Sequence, residues 1–204
     1  MQLQEAIDKR RTVREFSVRP VRDKVIDKAL AAGLKAPCYN HLRQWEFVLV
    51  NDPRIRLELT RTEDMSDELN AKTVTLLEGI DPVAREMYLY AMPLQKRMLL
   101  TAPGMVCVLY KPMKAVRDAK RIYDLSCHAS VWCCIQNILL SFAEDDVDCA
   151  TFIPQNTQKV REVLGIPNTL EVAAMVAFGY RAEGAKEVEQ KPVELETRKH
   201  IDRY

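Results

Sequence analysis

The amino-acid sequence predicts one α+β domain with a small central sheet surrounded by helices. Helical periodicity dominates the first part of the chain, and strand-length apolar runs separated by helices follow it. The 204 residues suffice for one domain with a well-buried core, and no repeat or low-complexity tract divides them. We therefore expect a single domain over residues 1–204.

Five stretches have the apolar spacing of helices. They cover residues 2–9, 22–34, 67–100, 125–143 and 155–164. Pro37 follows the second stretch, and Gly165 with Pro167 ends the fifth. Asp81-Pro82 marks a turn and a restart within the third.

Four runs of apolar or β-branched residues have the length of strands. They cover residues 47–50, 105–110, 147–151 and 172–178. Because predicted helices separate these runs, we expect them to form the small sheet at the centre of the domain.

The predicted helix 125–143 carries no formal charge and is long enough to cross a membrane. Polar residues are scattered through it, and its acidic flanks, Asp124 and residues 144–146, lack the positive charge of a cytoplasmic membrane boundary. We therefore predict no membrane span. Such a helix is buried on most faces, either in the core or in a subunit interface.

Overall charge argues against several classes of protein. Lys and Arg number 30 against 29 Asp and Glu, and this balance lacks the basic excess of a nucleic-acid or membrane-surface binder. Residues 1–6 lack the basic and then apolar order of a signal peptide, so we expect a cytoplasmic protein.

The six cysteines lie mostly in apolar runs, and we expect free thiols. The nearest approach to a metal-ligand pattern is the group Cys127, His128, Cys133 and Cys134, which lacks paired C-x-x-C spacing. We interpret these four as buried residues of one helix and predict no metal site.

Several catalytic motifs are absent from the sequence. None of the six glycines forms a dinucleotide fingerprint or a P-loop, and there is no G-x-S-x-G nucleophile elbow. The three histidines, His41, His128 and His200, lie far apart in sequence, so no local pair of nucleophile and base stands out.

The most informative segment is Arg10-Arg11-Thr12-Val13-Arg14-Glu15-Phe16, which follows the first predicted helix. Three arginines and one hydroxyl group within five residues can supply forked hydrogen-bond donors to a phosphate. A basic helix terminus that offsets the helix dipole explains the same residues about as well. The segment alone leaves both interpretations open.

A second segment, residues 36–50, begins with Ala36-Pro37 and runs into a strand through Trp45 and Phe47. Together with the arginine segment it resembles the nitroreductase family, whose members open with R-[RH]-[ST]-x-[RK]-x-F and continue with A-P-S-x-x-N-x-Q-P-W-x-F. Later segments resemble the family in the same order. They are residues 96–110, 136–140, 164–167 and 176–180. The resemblance therefore covers nearly the whole chain.

The resemblance implies a nitroreductase-like fold with a mostly antiparallel sheet, in an intertwined homodimer that holds FMN at its interface. NAD(P)H would reduce the flavin, and a small organic acceptor such as a nitroaromatic or a quinone would reoxidise it in a ping-pong mechanism. Flavin N5 would carry the chemistry, so no dedicated catalytic residue is expected.

The resemblance also implies which residues contact FMN. The group for the phosphate and ribityl chain comprises Arg10, Arg11, Thr12 and Arg14. The group that the partner subunit would place against the ring comprises Pro37, Cys38, Tyr39 and His41. Gln95 would lie at the pyrimidine edge. Lys191, with Arg198 and Lys199 as rivals, would reach the phosphate from a C-terminal arm, residues 182–204, which either wraps the partner subunit or is simply solvated.

The sequence departs from the family pattern at positions that shape the acceptor pocket. His41 replaces the asparagine, and the serine, glutamine and proline of the loop are Cys38, Arg43 and Gln44. His41 and Arg43 would make the pocket more cationic and suit an acidic or electron-rich acceptor, unless Arg43 is a solvated loop residue. The family's Gly-Leu-Gly appears as Asp146-Val147-Asp148.

Two alternatives to this oxidoreductase stay open. One is a family member specialised for dehalogenation or another flavin reaction, because the same scaffold supports several chemistries. The other is a flavin-binding regulatory or storage protein without turnover.

Overall fold

The computed structural model describes residues 2–188 and 190–204. In this part of the chain, helices surround one four-stranded sheet. The helices are α1 (Leu3–Lys9), α2 (Asp23–Gly33), α3 (Pro53–Thr62), α4 (Ala71–Glu78), α5 (Pro82–Thr101), α6 (Ser126–Glu144) and α7 (Thr157–Leu164). The strands are β1 (Trp45–Leu49), β2 (Gly104–Tyr110), β3 (Asp148–Phe152) and β4 (Glu171–Gly179).

The sheet has the order β1-β2-β4-β3, and each neighbouring pair is antiparallel. The predictions of an α+β fold and of a mostly antiparallel sheet are therefore confirmed. Each predicted strand lies within two residues of its observed bounds, because the apolar runs coincide with the strands that the core buries.

Helices cover both faces of the sheet. Alternate side chains of β2 point in opposite directions, so Val106 and Val108 pack with α2 and α6, whereas Met105 and Cys107 pack with α3, α5 and α7. A strand that is buried on both faces has an uninterrupted apolar sequence, as β2 does.

Helix α6 is buried on one side only within a single chain. It packs closely on α2, where a Cβ atom at Gly33 would lie 2.7 Å from Cγ1 of Ile138. The other side of α6 leaves Ala129, Cys133 and Gln136 exposed. The span Ile122–Glu144 meets the length and hydropathy expected of a membrane helix, but its buried side chains belong to the core of this domain.

The sequence reasoning missed α3. Asp52 caps this helix by accepting a hydrogen bond from the backbone N–H of Arg54, and Pro53 occupies its first turn. The buried Arg56 side chain ties α3 to the end of β1, since its Nε–H donates to the carbonyl oxygen of Val50 at 2.7 Å.

The prediction that Cys127, His128, Cys133 and Cys134 of α6 are all buried is wrong. All six cysteines are free thiols, and Cys134 is buried as expected. Cys127 and His128 are only half-buried, although Cys127 packs against the core and Nδ1 of His128 lies 3.1 Å from the Tyr110 hydroxyl. Cys133 is exposed because it lies on the open side of the helix. Within residues 2–188 and 190–204, no group of three His, Cys, Asp or Glu side chains could hold a metal ion.

Candidate functional site

The arginine segment runs along the edge of the sheet. Thr12 pairs with Cys149 of β3 in a parallel bridge, and the backbone N–H of Val13 donates to the carbonyl oxygen of Cys149 at 3.0 Å. Four residues later, Phe16 pairs with Arg181 just beyond β4. These contacts fix the segment beside β3 and the end of β4.

In an extended segment, neighbouring side chains point to opposite sides of the backbone. Val13 is buried in the protein, so Thr12 and Arg14 lie on the opposite side of the backbone. A hydroxyl group and a guanidinium group therefore share one face of the segment.

The Arg14 side chain lacks a partner for one of its nitrogen atoms. Its Nη1 atom is buried and has no hydrogen-bond partner among the residues that the structure describes. The guanidinium lies 5.9 Å from the ring centroid of Tyr90 on α5. Burial lowers the pKa of Arg14, and the contact with Tyr90 opposes this shift only in part. A buried cation of this kind is satisfied by a ligand with negative charge or free acceptor atoms.

A cavity of about 350 Å³, here called the arginine cavity, lies beside the start of the arginine segment. Four basic and four acidic side chains line it. They are Lys9, Arg10, Arg11, Arg181, Asp8, Asp146, Asp148 and Glu187. Of the four residues predicted to contact the phosphate and ribityl chain, Arg10 and Arg11 line this cavity, whereas Thr12 and Arg14 do not. The cavity also contains carboxylates.

Ion pairs occupy some of these basic groups. Lys9 pairs with Asp146, whose positive φ of 60° is the turn conformation expected at this position. Arg181 donates to both carboxylate oxygens of Asp148, at 3.1 and 3.2 Å, and donates to Glu187 at 2.6 Å. In the described part of the chain, the side chain of Arg10 makes no ion pair or hydrogen bond.

Sequence reasoning missed Arg181. Its partner Asp148 lies 33 residues earlier, and the antiparallel pairing of Asp148 with Gly179 brings the two together. The one local feature that points to Arg181 is its position shortly after the last strand. There it pairs with Phe16, the last residue of the arginine segment.

The loop that was expected to contact a flavin ring has an unusual backbone. Asn40, His41 and Arg43 have positive φ values of 48°, 54° and 41°, which are uncommon for residues other than glycine. The Tyr39 backbone N–H donates to Oγ of Ser130 on α6 at 2.9 Å. The Tyr39 hydroxyl is hydrogen-bonded to that of Tyr123, and this bond raises the pKa of Tyr39. The loop is thus held in one shape against α6.

A single chain does not bring this loop to the arginine segment. Cys38 and Tyr39 line a small cavity beside α6 that contains none of the arginines at positions 10–14. Pro37 and His41 are exposed.

Gln95 and Lys191 also lie outside the arginine cavity. Gln95, on α5, lines a separate cavity of about 520 Å³. The lining of that cavity includes Glu63, Asp64 and Glu68 but no Lys or Arg among the described residues, and it does not include His41 or Arg43. Lys191 Nζ lies 3.3 Å from a carboxylate oxygen of Glu86, also on α5.

The comparison with known families decides the classification. Residues 7–180 match the nitroreductase family. The chain belongs to this family.

Several relatives within this family are iodotyrosine deiodinases. The chain is 26% identical over 182 residues to the iodotyrosine deiodinase of Haliscomenobacter hydrossis, an alignment that covers 88% of this chain and 79% of the relative. It is 27% identical over 191 residues to iodotyrosine deiodinase 1 of Rattus norvegicus, covering 89% of this chain and 62% of that protein. The chain thus spans less than two thirds of the rat protein. A NADH dehydrogenase of Thermus thermophilus is 23% identical, with 91% of this chain and 90% of the relative covered.

Solved structures of the nitroreductase family share the fold. An oxidized iodotyrosine deiodinase bound to FMN and 3-iodo-L-tyrosine superposes with a TM-score of 0.75 at 20% identity, covering 95% of this chain and 97% of that one. A BluB-like flavoprotein from Clostridium difficile 630 gives a TM-score of 0.74 at 21% identity, with both chains fully covered, 100% of each.

Proposed function

We propose that the chain is a cytoplasmic FMN-dependent oxidoreductase that takes hydride from NAD(P)H and reduces a small organic acceptor in a ping-pong mechanism. The observation that carries the proposal is the buried Nη1 atom of Arg14, which has no hydrogen-bond partner among the described residues. An anionic cofactor with free acceptor atoms satisfies such a donor. Family membership makes a flavin nucleotide the cofactor that fits.

In this proposal, successive residues of the arginine segment bind successive parts of FMN. Arg10 and Arg11 line one cavity and supply positive charge for the phosphate. Thr12 supplies an exposed hydroxyl group next to them for the ribityl chain. Arg14 then provides a positive charge further along the segment.

The bound flavin would supply the redox chemistry by accepting hydride and passing it to the acceptor. The chain's own groups bind the cofactor and adjust its charge. The partly buried Arg14 guanidinium would stabilise the negative charge of the reduced cofactor, because a fixed cation acts strongly where little water screens it. No side chain has to act as nucleophile in this proposal.

We propose a homodimer as the functional unit, in which residues of two chains complete the site. In one chain, the loop with Cys38 and Tyr39 lies away from the arginine segment, and residues 190–204 are exposed. Apolar side chains in this exposed arm, including Val193, Leu195 and Ile201, favour contact with a partner subunit over a solvated tail.

Flavin content and turnover test the proposal. The purified protein should be yellow, release FMN on denaturation, and oxidise NAD(P)H in the presence of a quinone or nitroaromatic acceptor. A colourless protein that cannot be reconstituted with FMN would rule out the cofactor. A flavin-loaded protein without steady-state turnover would instead be the regulatory or storage protein considered as an alternative.

Reductive dehalogenation is the second candidate, because several relatives are named iodotyrosine deiodinases. The measurement is iodide release from 3-iodo-L-tyrosine by the reduced protein, compared with quinone reduction under the same conditions. Iodide release without NAD(P)H-dependent quinone reduction would favour the deiodinase.

A further inference from the structure

The Glu187 carboxylate lies between two arginine side chains of the cavity. Its Oε2 atom is 2.6 Å from Nη1 of Arg181, and its Oε1 atom is 4.0 Å from Nε of Arg11. An anionic group thus already occupies the gap between two guanidinium groups, a gap that also suits the oxygen atoms of a phosphate.

The two acidic partners of Arg181 differ in how firmly they are held. Asp148 begins a strand of the sheet, its side chain is 17% exposed, and it accepts two hydrogen bonds from Arg181. Glu187 lies beyond the last strand on irregular backbone, and its side chain is 57% exposed. Asp148 therefore orients the guanidinium, whereas Glu187 is free to exchange with solvent or with a ligand.

We propose that Arg181 is a phosphate-binding residue of this cavity and that a phosphate monoester displaces Glu187 from between Arg11 and Arg181. A phosphate monoester carries up to two negative charges and more acceptor atoms than a carboxylate, so it competes well for two guanidinium groups. The proposal rests on the proposed function, because FMN is the phosphate ester expected here. It adds that Glu187 competes with the phosphate group of FMN for the two arginines. Glu187 does not affect the binding of the flavin ring.

Titrations of two flavins test this. FMN carries a phosphate group that riboflavin lacks. The ratio of their dissociation constants therefore measures how much the contacts of the phosphate group contribute to binding. The variants are Glu187→Gln, Arg181→Gln and the control Glu183→Gln, which changes an exposed carboxylate on the same segment. Dissociation constants come from flavin fluorescence with flavin-free protein.

In Glu187→Gln, the dissociation constant of FMN should fall roughly two- to fivefold, the size expected for one exposed ion pair, while that of riboflavin stays unchanged. In Arg181→Gln, FMN should bind about tenfold more weakly, again without a change for riboflavin. If the Glu187→Gln protein binds FMN no more tightly than the Glu183→Gln protein does, the proposal is wrong. If the wild-type protein binds neither flavin, the proposed function fails as well.

Discussion

The Arg14 guanidinium lies 5.9 Å from the ring centroid of Tyr90, and Tyr90 also donates its hydroxyl hydrogen to the carbonyl oxygen of Lys186 at 3.4 Å. One ring on α5 therefore contacts both the arginine segment and the beginning of the C-terminal arm. Because the Nη1 atom of Arg14 is buried without a partner in the described part of the chain, this arrangement lowers the stability of the free chain and favours a bound acceptor group.

Replacement of Arg14 should therefore have opposite effects on stability and binding. Arg14→Met should raise the free energy of unfolding of the flavin-free protein by about 1 kcal/mol, because an unsatisfied donor is removed. The same change should weaken FMN binding about 10- to 100-fold, the loss of charge-assisted hydrogen bonds. Urea unfolding and FMN titration measure the two effects.

Arg117→Met is the matched control, since the Arg117 side chain is 87% exposed and lies outside the arginine cavity. It should leave both quantities unchanged. An Arg14→Met protein that is less stable and binds FMN normally would show that Arg14 has a structural role only.

The local sequence predicts the strands and most helices because burial and pattern coincide there. Strand β2 is buried along its whole length, so its apolar run is a direct signal. Helix α3 also has local features of a helix start, the cap Asp52 and Pro53. Its buried face includes the charged Arg56, however, so this face lacks the apolar spacing by which a helix is predicted. The Arg181 contact with Asp148 depends on strand pairing, which no local pattern contains.

Acid should remove the contribution of Asp124 to stability. The Asp124 carboxylate is 1% exposed, and it accepts hydrogen bonds from the Arg121 side chain at 3.0 Å and from the backbone N–H groups of Lys120 and Arg121. The Arg121 contact is the largest of the effects that lower its pKa from 3.8 to about 2. A lowered pKa in the folded state means that stabilisation is complete above pH 4 and is lost as pH falls from about 4 to about 2.

The test is the difference in Tm between wild type and Asp124→Asn from pH 7 to pH 2. The variant should melt at a lower temperature at neutral pH, and the difference should shrink below pH 4. Asp118→Asn, which changes a largely exposed carboxylate, should show little difference at any pH. A Tm difference that persists unchanged at pH 2 would mean that the charge of Asp124 is not what stabilises the fold.

Removal of the exposed arm should affect assembly more than folding. A chain that ends after Val188 keeps the contacts of Glu187 with Arg181 and of Lys186 with Tyr90, and it loses residues that are exposed from position 190 onward. We expect a folded subunit with a weaker dimer and less bound FMN. Circular dichroism, light scattering and flavin absorbance separate these effects. Lys191→Ala in the full-length chain is the companion variant, and a truncated dimer with normal FMN content would show that Lys191 and the arm are wrongly assigned.

The open side of α6 predicts where two subunits meet. Ala129, Cys133 and Gln136 follow each other at intervals of four and three residues, so they form one exposed stripe on a helix that carries no formal charge from Ser126 to Ala143. A permanent dimer interface exceeds roughly 2,000 Å² and would cover this stripe.

The Cys133 thiol should then be protected from a thiol reagent in the dimer and accessible after dilution to monomers, because dissociation is governed by protein concentration. Light scattering at micromolar concentration gives the oligomeric state, and mass spectrometry after labelling identifies the modified cysteine. The variant Cys133→Arg should dissociate the dimer, whereas Cys133→Ser should preserve it and lose the label. Rapid labelling of Cys133 in an intact dimer would place the interface elsewhere, and a monomer that holds FMN would contradict the proposed site shared between two chains.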